Sequence, residues 1–146
     1  MSLFTGLNIS SSGMTAQRLR TDIIAQNIAN VNTTRDENGN VYKRKTVVFS
    51  EKNYVSFNES LTAATGRAGK GVKVSQIVTD NDAATKLVYD PSHPDANEDG
   101  YVEYPNVNTV TEMTNLIDAS RAYEANITAF NATKGMMLKA IDVGGN

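Results

Sequence analysis

The stretch NTVTEMTNLIDASRAYEANITAFNATKGMMLKAI, from Asn108 to Ile141, decides how this chain is built. Val110, Met113, Ile117, Ser120, Tyr123, Ile127, Phe130, Met137 and Ile141 recur every three or four residues, the period of one helix face, and Lys134 interrupts the series. About 34 residues at roughly 1.5 Å rise make a rod of about 50 Å. A compact domain of this chain length is only about 30 to 35 Å across. The helix therefore cannot bury its whole stripe in its own domain, and something outside the chain must cover part of it.

Working back to the other end, residues 1 to about 32 read as a second helix. Leu19, Ile23, Ile24, Ile28 and Val31 make its stripe, while Gln17, Arg18, Arg20, Asp22 and Gln26 keep the opposite face wet. Ser10, Ser11, Ser12 and Gly13 mark either a break or an early turn of the same helix. Asn32 to Asn40 is a polar turn region with a hairpin-type Asn38-Gly39 pair. Val41 to Phe49 is rich in β-branched and aromatic residues and reads as a strand, followed by a short extended piece at Tyr54 to Phe57. Ala63 to Gly71 reads as a loop. Val72 to Thr79 and Thr85 to Tyr89 read as a second pair of strands around a turn at Asp80 to Asp82, and Asp90 to Asn106 as an irregular connector. The expected fold is α+β: long antiparallel N- and C-terminal helices in a coiled-coil-like hairpin with a small inserted β lobe. Residues 1–34 with 104–146 make a helical assembly domain, and 35–103 make the lobe and connector.

Both helices carry many Asn, Ser, Thr and Ala among few large apolar residues. Such a helix gains little burial against the backbone entropy it must overcome. Two readings follow: ordinary core helices flanking a sheet, or a hairpin stabilised by copies of itself. The totals narrow the function classes. With 14 basic and 16 acidic side chains the net charge of the 146 residues is -2, and the densest basic run, Lys43-Arg44-Lys45, alternates between the faces of a strand. Neither feature suits nucleic acid, whose binding needs a clustered basic surface. There is no cysteine, hence neither a disulfide framework nor a thiolate zinc site. No apolar run approaches a membrane span, and the N-terminus lacks the residue order of a cleavable signal.

Three motifs invite a chemical reading. Asp95, Asn97, Asp99 and Gly100 match the first half of a calcium loop, but Asn106 stands where a bidentate Glu belongs and Glu103 where a ligand usually acts through water. An Asx turn is the plainer reading. Gly66 to Gly71 has the outline of a phosphate loop, yet Gly71 replaces the magnesium-binding Ser or Thr, Ala64 replaces the leading glycine, and a strand follows instead of a helix. His93, between Pro91 and Pro94, has Asp90 and Asp95 beside it and is best read as ordering that turn by hydrogen bonding. No catalytic constellation, cofactor site, metal site or small-molecule substrate site is expected.

Residues Ser12 to Asn32 (SGMTAQRLRTDIIAQNIANVN) resemble the N-terminal signature of the flagellar rod and hook axial proteins. Pro105 to Met113 (PNVNTVTEM), Ser120 to Asn126 (SRAYEAN) and Lys134 to Met137 resemble the C-terminal signature of the same family. The connector Tyr89 to Asn97, leading to Gly100 to Val102, resembles that of the short proximal-rod members, whereas Asn38 to Thr65 matches nothing in the pattern. The resemblance implies a structural protein of the bacterial flagellar basal body, not an enzyme. It implies export through the flagellar type III apparatus without a cleaved signal, and polymerisation with copies of itself and other rod proteins into a torque-bearing shaft. Another axial subunit is the alternative within the family, and a calcium-binding module a remote one outside it.

On this reading Leu19, Ile23, Ile28 and Val31 are expected to pack against Ile117, Tyr123, Ile127 and Phe130, with Val110, Met113, Met137 and Ile141 among the positions divided between this seam and neighbouring subunits. Asn27, Asn30, Asn126 and Asn131 are expected to lie between subunits, where their amides would specify register more than add stability.

Overall fold

The computed structural model describes residues 3–36, 39–52 and 69–144. Its elements are α1 (Leu3–Ala29), β1 (Lys45–Glu51), β2 (Val72–Thr79), β3 (Lys86–Tyr89), β4 (Tyr101–Tyr104) and α2 (Thr109–Gly144). The expected α+β architecture is present, with two long terminal helices and a small β insertion. The extended piece expected at Tyr54 to Phe57 and most of the loop around Gly66 lie outside the described residues.

Helix α2 starts where a cap allows it. The Asn108 side-chain oxygen accepts the N–H groups of Val110 and Thr111 at 3.0 and 3.2 Å, satisfying two donors that the first turn leaves open. Along the helix Thr114, Thr128 and Thr133 return their hydroxyls to the carbonyl four residues back. These hydroxyls therefore need no partner elsewhere. In α1, Thr15 does the same toward Ser11, and Ser12 bonds Ile9 O at 2.7 Å. Helix α1 runs unbroken through Ser10 to Gly13, so that run is a continuous part of the helix. Its small residues serve close packing, as described below.

The strands pair differently from the expectation. β2 lies beside β1 in one two-stranded sheet, and β3 beside β4 in another; β2 and β3 are not partners. Lys52 N–H to Gly71 O (2.9 Å) and Asp80 N–H to Arg44 O (2.8 Å) bracket the first pair. β4 falls inside the stretch read as connector. Its register with β3 is antiparallel, setting Val88 opposite Val102 and Tyr89 opposite Tyr101. The intervening turn is closed by Asp90 N–H to Gly100 O at 2.9 Å, with Gly100 at φ +79°, a conformation suited to glycine.

The chain forms two compact units. One comprises Met1–Leu19, Val48–Gln76 and Ala119–Asn146; the other comprises Arg20–Val47 and Ile77–Asp118. In the first, Ser10, Ala16 and Ala119 are buried; in the second, Ile24, Asn27, Val102 and Glu112 are. Both interiors are made of few and mostly small or polar side chains. Among the described residues no helix is long and apolar enough to cross a membrane.

Candidate assembly surfaces

Each unit contains a piece of the seam between α1 and α2. In the first unit, Gly6 faces Thr133 and Gly13 faces Asn126. These pairs advance by one heptad in opposite directions along the two helices, which is the antiparallel, coiled-coil-like arrangement. A Cβ built on Gly13 would lie 2.6 Å from Asn126 Oδ1 and 2.9 Å from its Cγ. Glycine is required there because the Asn126 side chain occupies the space a methyl group would take. In the second unit, Asn27 faces Glu112.

The seam positions on α2, Glu112, Asn126 and Thr133, each stand one residue before a position of the series read in the sequence. A helix turns by about 100° per residue, so Val110, Met113 and Ile117 are rotated out of the seam, whereas Phe130 and Met137, four residues after Asn126 and Thr133, stay on its side. Val110 is 75 % exposed and Ile117 54 % exposed, and Met113, Tyr123 and Ile141 are also exposed. Ile127, Phe130 and Met137 are half-buried, as are Leu19, Ile23, Ile28 and Val31 on the N-terminal side. Nothing in the sequence pattern marks which face is inward when the inward face is the polar one.

The expected intersubunit role does not hold for Asn27, which is fully buried within its own chain. Its Nδ2 donates to Lys45 O at 2.8 Å and Glu112 Oε2 at 2.9 Å, while its Oδ1 accepts Lys45 N–H and the Tyr42 hydroxyl, both at 2.9 Å. All four hydrogen-bonding positions of the amide are thus used. Asn30 donates to Gln26 O, and Asn126 to Ala122 O at 2.7 Å. These bonds stay within the respective helical segments; Asn131 is exposed.

Glu112, which the sequence reading did not single out, is the centre of this cluster. Its side chain is only 1 % exposed, and Oε1 receives Arg44 through Nη2 at 2.8 Å and Nε at 2.9 Å. The Arg44 backbone N–H is held by Asn106 Oδ1 at 2.8 Å, and Asn106 Nδ2 donates to Asp80 O and Ala83 O. A buried charge is tolerable only with such pairing. Burial first, and then the Glu112 carboxylate, raise the Tyr42 phenol above its ordinary value of 10.0. The available signal for Glu112 was an acid one heptad before Ala119, and a basic run in which Arg44 had no assigned partner.

The half-matched calcium loop and the His93 segment resolve into turns. Asn97 Oδ1 accepts the backbone N–H groups of Asp99 and Tyr101, at 3.1 and 2.8 Å, and Asp95 is occupied by Thr34 Oγ1 at 2.6 Å and Arg35 Nε at 3.3 Å. The half-matched calcium loop is an Asx turn with its carboxylate already paired. His93 Nδ1 accepts the Asp95 N–H at 3.1 Å, fixing the turn as expected. Asp90 binds Ser92 through its hydroxyl and amide, and these bonds lower its pKa from 3.8. Among the described residues no three His, Cys, Asp or Glu side chains converge as metal ligands.

Residues 7–35 match the family model for the flagella basal body rod protein, and residues 98–143 match that for the C-terminal part of the flagellar basal body rod FlgEFG protein. The chain is 47 % identical to flagellar basal-body rod protein FlgC of Bacillus subtilis over 99 % of each chain. It is 43 % identical to the FlgC of Borreliella burgdorferi over 98 % of each chain, and 40 % identical to that of Salmonella typhimurium over 99 %. The chain belongs to the flagellar basal-body rod protein family. As a rod protein it is a structural subunit of the flagellar basal body. The two matched segments carry most of α1 and α2. They include Asn27 and Glu112, whereas Arg44, which ties the carboxylate to the β insertion, lies in neither.

Proposed function

We propose that this rod protein is a proximal-rod subunit that leaves the cell through the flagellar type III export apparatus and polymerises with copies of itself and with other rod proteins. In a two-membrane cell the resulting shaft stands in the periplasm and carries torque from motor to hook. The observation that carries this reading is the exposed apolar face of α2 at Val110, Met113 and Ile117. The helix closes its own seam with polar and small residues and leaves its larger aliphatic side chains for neighbours. Contacts between unlike faces of successive subunits propagate as a helical filament. Helices with so little internal burial also suit passage as an unfolded chain, because assembly supplies the burial that orders them.

The test uses Val110→Asp with Ile117→Asp in a cell lacking the native chain. Export into the medium with no basal-body rod and no swarming is the expected outcome. Normal swarming sinks the proposal, and retention of the chain inside the cell sinks the export part of it.

A further inference from the structure

Beside Glu112 lies a cavity of about 150 Å³ whose walls include Arg20, Arg44, Lys45 and Glu112, with Ile23 and Val47 supplying apolar surface. Three cations border it against one carboxylate. That carboxylate is committed to Arg44 and Asn27. Among the described residues neither Arg20 nor Lys45 has an acidic partner; Lys45 Nζ instead rests 5.5 Å from the centre of the Tyr42 ring. The cavity is therefore electropositive, partly apolar, and smaller than the roughly 300 to 1,000 Å³ of common small-molecule sites. Its size and charge suit a single carboxylate side chain.

We propose that this cavity receives Asp142 of a second copy of the chain. Asp142 is exposed and lies one turn beyond Leu138, which is 55 % exposed, so one face of the tip of α2 offers an acid beside an aliphatic side chain. This matches the cavity in both charge and apolar surface. Thirty helical residues separate Glu112, in the cavity wall, from Asp142. At about 1.5 Å each that is a rise of about 45 Å, so a helix cannot return its own tip to its own cavity. The contact joins unlike surfaces and leaves one of each free at the ends, which makes it repeat instead of closing into a dimer. It rests on the self-assembly reading above and specifies one interface within it.

Sedimentation velocity on the full purified chain tests the contact. Arg20→Glu or Asp142→Arg alone should weaken self-association by about tenfold or more, as charge reversal at a desolvated pair does. An equimolar mixture of the two single variants should recover to within about threefold of wild type, since each then meets an opposite charge across the interface. Arg20→Gln with unchanged circular dichroism guards against a folding defect and should give a smaller loss in the same direction. Association unmoved by either reversal, or no recovery on mixing, overturns the proposal. Inorganic phosphate bound by the monomer through Arg20, with association unmoved, overturns it in favour of a small anion. A wild-type chain that never self-associates overturns the assembly reading itself, and the contact with it.

Discussion

Glu112 and Asn27 show how much of this fold rests on single polar side chains. Glu112→Ala would leave the Arg44 guanidinium partly buried without its acid and Asn27 with an unused donor. The expected loss is about 3 to 5 kcal/mol, read as a lower midpoint in urea unfolding. Glu112→Gln keeps an acceptor for Arg44 and should lose less. Tyr42 gives a pH signature. Its folded pKa is raised, so the folded state holds the phenol proton more tightly than the unfolded chain does. That contribution is complete below pH 10 and is lost as pH rises through the higher folded value. Thermal unfolding should accordingly show an alkaline decline above pH 10 that is shallower in Tyr42→Phe, at a cost near neutrality of about 1 kcal/mol for the lost hydrogen bond. The sequence flagged Asn27 as a residue whose amide must be satisfied. It could not reveal that the partners are the peptide of Lys45, the phenol of Tyr42 and a carboxylate 85 positions away, because such partners are set by tertiary placement and leave no periodic trace.

At the scale of elements, the spacing of apolar residues located both helices, and β-branched and aromatic runs between turn signals located most of the strands. It did not locate the seam. Gly13 and Asn126 meet because small and polar residues let two backbones approach, and a hydrophobic stripe carries no record of that. Gly13→Ala should destabilise by about 1 to 3 kcal/mol through overpacking, measured as a fall in melting temperature. Asn126→Ala in the same chain should recover part of the loss by vacating the space. β4 was hidden by its surroundings: Tyr101 to Tyr104 follows a run rich in Pro, Asp and Asn, and its four residues stand at the lower limit of the usual strand signal. The pairing of β2 with β1 instead of β3 was equally out of reach, because strand order depends on which edges the helices leave available.

For the whole molecule, family membership was legible at both ends, where the signature residues lie on α1 and α2. The face that looks outward was not. Replacing Val110, Met113 and Ile117 together with Ser should change the unfolding free energy of dilute chain by no more than about 0.5 kcal/mol per position, as exposed positions do, while sharply reducing self-association in sedimentation. Circular dichroism of the dilute wild-type chain should show less helix than α1 and α2 contain, increasing with concentration as neighbours bury the stripe. Full helix independent of concentration would instead favour ordinary core helices.

The rotation of Val110, Met113 and Ile117 out of the seam also bears on supply. A subunit that hides polar groups and displays aliphatic ones is least soluble when it is folded and alone, since contiguous exposed apolar surface promotes indiscriminate association. The stock of free, folded chain that a cell tolerates is thereby limited, and synthesis has to keep pace with incorporation instead of running ahead of it.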